Sequence, residues 1–88
     1  MKEIDDLERP FKDYAEAKGW IYEKVSSLSR NGWPDRFLLR NGRVVLLEWK
    51  APGKEPTRQQ YIRQRQLRQA GAEVVWFNDL EAAKAYFV

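Results

Sequence analysis

With 88 residues, the chain is long enough for one domain, and a domain of this size buries only about 60 to 65% of the surface that its unfolded chain exposes. It contains no cysteine, which excludes disulfides and thiolate zinc sites. It also contains no histidine, the commonest general base in enzymes. Carboxylates with a hard cation remain as plausible catalytic groups. The net charge is a mild +3, and the longest apolar run, Val44 to Leu47, is far too short to span a bilayer. We therefore expect a single domain over residues 1–88, located in the cytoplasm.

The first predicted element is a helix that ends near Gly19, because one stripe of side chains recurs at steps of three and four residues: Ile4, Leu7, Phe11, Tyr14 and Lys18. Asp5 or Asp6 is expected to cap this helix. Pro10 complicates the start of the helix, because proline is favourable only in the first helical turn, so the sequence leaves open a later start than the stripe indicates. Glu8 lies beside the stripe, where its carboxylate is within reach of the strands that follow.

The first strand is predicted from Trp20 to Val25, where apolar and polar residues alternate. Lys24 in this strand has a simple interpretation as a charged residue on an exposed strand edge. A polar loop over residues 26–31 contains Arg30, and Gly32 and Pro34 then turn the chain towards the next strand.

A β-hairpin is predicted around Asn41-Gly42, because this dipeptide between two runs of β-forming residues is the strongest short-range signal for a two-residue type I′ turn. The turn fixes the register: when Arg40 faces Arg43, Asp35 faces Glu48. Directly opposed residues project from the same face of the sheet with Cβ atoms about 5 Å apart, and like charges there repel each other. A positive group is therefore expected between the two carboxylates.

Lys50 is one candidate for that positive group, because it lies two residues after Glu48 and points to the same face. A divalent cation approaches two carboxylates more closely than a lysine does, and carboxylate oxygens are ligands that Mg²⁺ prefers. Trp49 points to the other face, which leaves its backbone carbonyl as a further oxygen ligand. The simpler alternative is an exposed ion network of Asp35, Lys50 and Glu48, which would stabilise the fold only weakly.

The remainder of the chain predicts a connector, a helix, a strand and a short final helix. The segment APGKEPT contains two prolines and a glycine, and Thr57 at its end is expected to cap the next helix with Gln60 in a capping box. The continuous apolar run in Glu73 to Phe77 predicts a strand that is covered on both faces. Asn78 is expected to cap the last helix. The predicted order is α-β-β-β-α-β-α, an α/β fold.

The helix after Thr57 is basic, with four arginines between Arg58 and Arg68 and no carboxylate. Such a helix is a reasonable surface for a phosphate backbone, although a solvated helix face has the same composition.

The order Gly32-Trp33-Pro34-Asp35, Glu48-Trp49-Lys50, Gly53 and Gln60 resembles the VRR-NUC (virus-type replication-repair nuclease) family of the PD-(D/E)XK nuclease superfamily. The resemblance extends over nearly the whole chain. It implies a PD-(D/E)XK restriction-endonuclease-like core, with a small mixed sheet flanked by helices. The implied activity is hydrolysis of phosphodiester bonds in DNA by an Mg²⁺-dependent endonuclease, for which Mn²⁺ is expected to substitute and no organic cofactor is needed.

The resemblance also implies a role for each site residue. It makes Glu8 a third carboxylate of the site and places Gln60 at the active site, whereas the sequence alone explains Gln60 as a cap. It implies that Lys50 orients or activates the attacking water. The resulting catalytic set is Asp35, Glu48, Lys50, Glu8 and Gln60. The resulting metal ligands are Asp35, Glu48, Glu8 and the carbonyl of Trp49.

The substrate is expected to be DNA, contacted by five basic residues: Lys24, Arg30, Lys54, Arg58 and Arg63. Stand-alone domains of this size look like phage-type enzymes that dimerise and resolve four-way (Holliday) junctions. We therefore expect a homodimer acting on branched DNA in a bacterial or phage-infected cell, away from membranes. Two alternatives remain: a nicking or flap nuclease that acts on non-junction DNA, and a nucleic-acid-binding module without catalytic activity.

Overall fold

The computed structural model describes residues 3–25 and 32–88. Its elements are α1 (Ile4–Ala17), β1 (Ile21–Lys24), β2 (Arg36–Arg40), β3 (Arg43–Trp49), α2 (Arg58–Gln69), β4 (Glu73–Phe77) and α3 (Leu80–Tyr86). The strands form a sheet in the order β1-β2-β3-β4, in which only the β3–β4 pair is parallel. These observations confirm the predicted element order and the small mixed sheet flanked by helices.

The hairpin of β2 and β3 has the predicted turn and register. Asn41 and Gly42 both have positive φ, 52° and 79°, as a type I′ turn requires. Arg40 faces Arg43, and the pairing continues regularly to Arg36 opposite Leu47. One position further along, the same register brings Asp35 opposite Glu48.

Helix α1 differs from the prediction at its start. It begins at Ile4 and continues through Pro10, so the later start that proline suggested is wrong. The N-cap is Glu3, and Asp6 instead accepts the Glu3 backbone N–H at 2.9 Å. Proline in a helix interior costs about 3 kcal/mol. Burial of Leu7 and Phe11 on the same helix offsets that cost, since one fully buried apolar side chain contributes about 1.5 to 3 kcal/mol.

The core lies between α1, α3 and one face of the sheet. Phe11 and Phe87 are completely buried there against the inward residues of β2 and β3, which are Leu38, Val45, Leu47 and Trp49. The opposite face of the sheet carries α2, which packs on β4 and buries Gln64. Among residues 3–25 and 32–88, no helix is long and apolar enough to cross a membrane.

Strand β4 is the edge of the sheet and is covered on both faces, as its apolar run predicts. Helix α2 packs on one face, where Tyr61 contacts Trp76, and Val75 and Phe77 pack against the core on the other.

The cap of the last helix differs from the prediction. Asp79 caps α3, since its carboxylate accepts the Ala82 N–H at 2.9 Å. Asn78 instead donates its amide to the Lys54 carbonyl at 2.7 Å, which ties β4 to the connector before α2.

Candidate active site

The hairpin places two carboxylates together at the open end of β2 and β3. Asp35 lies directly before β2, and Glu48 is the second-last residue of β3. Burial and, second to it, the negative charge of Asp35 together raise the pKa of Glu48 to about 7, against the opposing effect of the Lys50 and Arg36 charges. The register of the hairpin, continued by one position, places the two carboxylates opposite each other. The site therefore holds two acids whose simultaneous ionisation is unfavourable.

Lys50 and Gln60 lie beside this pair and contact each other. The Lys50 ammonium donates to Gln60 Oε1 at 3.1 Å. The same oxygen accepts the Thr57 backbone N–H at 2.9 Å, while Thr57 Oγ1 accepts the Gln60 N–H at 3.2 Å. Gln60 therefore caps α2 and also contacts the lysine, so the two interpretations from the sequence are compatible. Because Gln60 is fixed by the cap, it restrains the direction of the Lys50 side chain.

Glu8 lies on the α1 side of the sheet and reaches Arg36 instead of reaching the hairpin carboxylates directly. Its carboxylate accepts hydrogen bonds from Arg36 Nε, from Arg36 Nη2 at 3.2 Å and from the Tyr22 hydroxyl at 2.6 Å. Burial alone would raise the pKa of Glu8, but these hydrogen bonds, with the charges of Arg36 and Lys24, hold it below its ordinary value. Arg36 Nη1 also lies 3.0 Å from Asp35 Oδ1. Arg36 therefore links Glu8 to Asp35.

Arg36 and Tyr22 are site residues that the sequence interpretation missed. The Tyr22 hydroxyl accepts a hydrogen bond from Trp49 Nε1 at 2.8 Å and donates one to Glu8, and both aromatic side chains are buried. The signal was available in the alternation of strand residues: if Asp35 points to the α2 face, its neighbour Arg36 must point towards α1. A charged residue on the inward face of a strand requires a partner, and Glu8 is on the helix that covers that face.

Asp35 and Glu48 have the chemistry of a site for a hard divalent ion. They offer carboxylate oxygens, and each destabilises the charge of the other, which a bound dication would reverse. In the described part of the chain, no three acidic side chains are close enough together to share an ion. Glu8 is therefore separated from the pair by its contact with Arg36. The Trp49 indole lies in the core, as its predicted orientation requires.

The basic residues expected at DNA lie on different parts of the domain. Lys24 is on β1, which α1 contacts, whereas Arg58 and Arg63 are on α2, across the sheet. The Arg63 guanidinium lies over the Trp33 ring, 5.0 Å from its centre, and Lys54 is in the connector before α2. Arg30 lies outside the described residues. The described basic residues thus lie on both faces of the sheet and in the connector, and do not form one surface.

Gly32 brings the segment before Asp35 directly against α2. Its φ is +79°, and a Cβ atom at this position would lie 2.8 Å from the Gln59 carbonyl oxygen and 3.3 Å from the Arg63 Cβ. Only glycine permits both the backbone conformation and this approach. The contact sets Asp35 and Gln60 in one site, because it joins the segments that carry them.

Comparison with known proteins decides the family. No known family model matches the sequence. A protein named "Putative nuclease p44", from Acyrthosiphon pisum secondary endosymbiont phage 1, is 35% identical to the chain over 72 residues, which are 81% of this chain and 77% of the phage protein. A solved structure described as a VRR_NUC domain superposes with a TM-score of 0.71 at 26% identity, covering 90% of this chain and 91% of that one. The chain belongs to the VRR-NUC family.

Membership of the VRR-NUC family makes the domain a nuclease and confirms the resemblance drawn from the motif order. The matched length in the structural comparison includes nearly all of both chains, so the whole fold is shared and not only the hairpin.

The raised pKa of Glu48 predicts an unusual pH dependence of stability. In the folded state Glu48 holds its proton up to about pH 7, against 4.5 for an ordinary glutamate, so its contribution to stability is complete below pH 4.5 and is lost as the pH rises to 7. Each pKa unit corresponds to about 1.4 kcal/mol, and screening at this partly exposed site reduces the total to about 1 to 2 kcal/mol.

Urea unfolding of the wild type and of Glu48→Gln between pH 4 and pH 8 would measure this contribution. We expect the variant to gain stability relative to the wild type across this interval, with no further gain above pH 7.5. A difference that does not change with pH would show that folding does not raise the pKa of Glu48.

Proposed function

We propose that this VRR-NUC domain is a metal-dependent, structure-selective DNA endonuclease that acts as a homodimer and resolves four-way junctions. The observation that supports this most directly is the pairing of Asp35 with a Glu48 whose pKa is raised to about 7, beside Lys50. A purely structural ion network would be expected to lower the pKa of its carboxylates, as Arg43 does for Glu73 elsewhere in the domain.

In this proposal, Asp35 and Glu48 hold Mg²⁺ or Mn²⁺, with the Trp49 carbonyl as a further oxygen donor, while Glu8, which pairs with Arg36, stays outside the ligand set. The bound ion would polarise the phosphodiester, lower the pKa of a water molecule and stabilise the leaving oxygen. Arg36 contributes a fixed positive charge between Glu8 and Asp35, which limits the repulsion among the three acids. Tyr22 and Arg36 together fix the orientation of the Glu8 carboxylate.

Lys50 is the proposed group that orients the attacking water and offsets the charge that develops on the phosphate. Its ammonium is held by Gln60 Oε1, whose position is set by the cap of α2. A preorganised positive charge is effective in catalysis because it needs no rearrangement during the reaction. Gln60 therefore acts in this proposal as a positioning residue for Lys50.

Two features support a homodimer that acts on junctions. Symmetric cleavage of two strands requires two sites, which a two-fold dimer provides most simply. An apolar row crosses three strands on the face away from the core, from Ile21 through Leu39 to Val44, and its outer members are 54% and 50% exposed. Burial of such a row is favourable and suits a subunit contact. The matched relative is itself a phage protein.

Incubation of labelled four-way junction, flap and linear duplex DNA with Mg²⁺, Mn²⁺ or EDTA tests the proposal. We expect paired, symmetric cuts in the junction with either metal and none in EDTA, from a protein that elutes as a dimer at the assay concentration. Cleavage of flap or nicked DNA alone by a monomer would favour the alternative nuclease. Binding of DNA without cleavage under any metal condition would establish a binding module instead.

A further inference from the structure

A cavity of about 400 Å³ lies between α1 and β1, beside the carboxylate pair but separate from it. Four basic side chains line it: Arg9, Lys12, Lys24 and Arg36. Asp35 and Glu48 do not line it. Arg36 forms the wall between the two places, because its guanidinium contacts both Glu8, which lines the cavity, and Asp35, which does not. The cavity is therefore one side chain away from the candidate active site.

Two of the four cations are already paired with acids of the cavity wall. Arg9 lies 2.6 Å from Asp5, one helical turn before it, and Arg36 pairs with Glu8. Lys12 and Lys24 form no ion pair with any residue in the described ranges, and both are exposed. Since Glu23 is the third acid in the wall, the lining has four positive and three negative groups and a net positive charge.

The unpaired ammonium groups lie close to the active-site acids. Lys24 is near enough to Glu8 to lower the pKa of that carboxyl, and it occupies the position directly opposite Arg36 in the β1–β2 pair. Lys12 follows Glu8 by four residues in α1 and therefore lies on the same side of the helix. The two lysines line the cavity from different elements, Lys12 from α1 and Lys24 from β1.

We propose that this cavity binds a phosphate group of the DNA strand next to the scissile phosphate, with Lys12 and Lys24 as its contacts. The inference rests on the proposed nuclease function for the position of the strand. Phosphates recur every 3.4 Å of helix axis along a strand, so a strand held at Asp35 and Glu48 carries neighbouring phosphates past Arg36. Lysine binds phosphate as a point charge on a flexible stem, which suits a pocket without a preformed anion cradle.

Lys12→Ala tests the cavity, and Lys18→Ala is its matched control. Both lysines are exposed on or just after α1 and both substitutions remove one charge, but Lys18 lies over Tyr14, away from the cavity. Alanine is the best helix former, so neither substitution should disturb folding. DNA affinity would be measured in EDTA by fluorescence anisotropy as a function of salt, and KM and kcat on the junction with Mg²⁺.

We expect Lys12→Ala to weaken DNA binding about five- to eightfold at 0.1 M salt and to reduce the slope of log K against log salt by about 0.7 to 0.9, the contribution of one phosphate contact. KM should rise with little change in kcat. The Lys12→Ala, Lys24→Ala double variant should lose about two contacts. Equal salt slopes for Lys12→Ala and Lys18→Ala would overturn the proposal.

Substrates with one phosphate replaced by a neutral methylphosphonate, at each position beside the scissile bond in turn, locate the contact. At one position Lys12→Ala should have no further effect, because the contact is already lost. Strands that end at that position with a 5′-phosphate or a 5′-hydroxyl distinguish an internal phosphodiester from a terminal phosphate. If Lys12→Ala retained its full effect with every substituted substrate, the cavity would not hold a phosphate.

The two proposals fail in different ways. Absence of cleavage by the wild type would reject the nuclease mechanism, while the salt slopes in EDTA would still test the cavity. Normal cleavage with identical slopes for both lysine variants would reject the cavity and leave the nuclease unaffected.

Discussion

Asp35→Asn and Glu48→Gln should each reduce DNA cleavage by about 10²- to 10³-fold or more while leaving the domain folded. Each change removes an anionic oxygen from the proposed ion site, and interactions that stabilise charge in the transition state commonly have effects of this size. Glu48→Gln should also maintain or raise the melting temperature in EDTA at pH 8, because it removes a charge that burial and the repulsion from Asp35 both disfavour. Asp35→Asn should raise it less, since it also loses the contact with Arg36.

Single-turnover cleavage of a junction and thermal unfolding in EDTA are the two measurements. Glu16→Gln is the control, because it removes the same charge from an exposed position on α1 and should change neither quantity. Marked unfolding of both site variants would show that Asp35 and Glu48 stabilise the fold as an ion network, contrary to the proposed role.

Gly32→Ala should be strongly destabilising. A positive φ costs a non-glycine residue about 1 to 2 kcal/mol, and forcing a methyl group to within 2.8 Å of the Gln59 carbonyl adds about 1 to 3 kcal/mol of overpacking. In a domain of this size each kcal/mol lowers the melting temperature by about 4 to 8 °C, so a decrease of roughly 10 to 40 °C is expected. Cleavage should fall even below the melting transition, because Gly32 positions Asp35 relative to Gln60.

Gly53→Ala separates the two causes. Gly53 has almost the same φ, +81°, but nothing lies within 4 Å of the added Cβ. It should therefore show only the backbone cost of about 1 to 2 kcal/mol. Equal destabilisation by the two substitutions, measured by thermal and urea unfolding, would mean that the segment before Asp35 does not pack closely on α2.

The hairpin could be predicted from sequence because its determinants are local. Asn41 and Gly42 adopt the positive φ angles that a type I′ turn requires, and the turn then dictates every pair up to Arg36 and Leu47. The same register explains why Asp35, Glu48 and Lys50 lie on one face of the sheet. The cap of α2 by Thr57 and Gln60 was also predictable, since a capping box is a four-residue pattern.

The start of α1 was not predictable from local preferences. Pro10 argues against an uninterrupted helix, but the buried stripe that contains Leu7 and Phe11 packs on the sheet and outweighs the proline. The stabilising contacts of Phe11 are made with residues far along the chain, such as Trp49 and Phe87, which a local sequence pattern does not include. Tertiary packing thus decided the one element where propensity and periodicity disagreed.

The surroundings of Glu8 could be inferred only in part. Its placement beside the hairpin follows from the helical stripe, but its partners Arg36 and Tyr22 come from two strands whose relation to α1 is set by the assembled sheet. The cavity beside it likewise exists only because α1 and β1 meet in space. Gly32 carried a turn signal, but its contact with Gln59 depends on where α2 crosses the sheet.

The position of Arg36 among the three acids bears on whether the protein needs a metal ion in order to fold. Glu8, Asp35 and Glu48 are accompanied by two basic side chains, Arg36 and Lys50, and the raised pKa of Glu48 lets it remain partly protonated near neutrality. The net negative charge that the folded site must accommodate is therefore small. We therefore expect the polypeptide to reach its native structure in a chelating medium, and purification without added magnesium should yield folded protein on which the proposed binding of an ion can be measured.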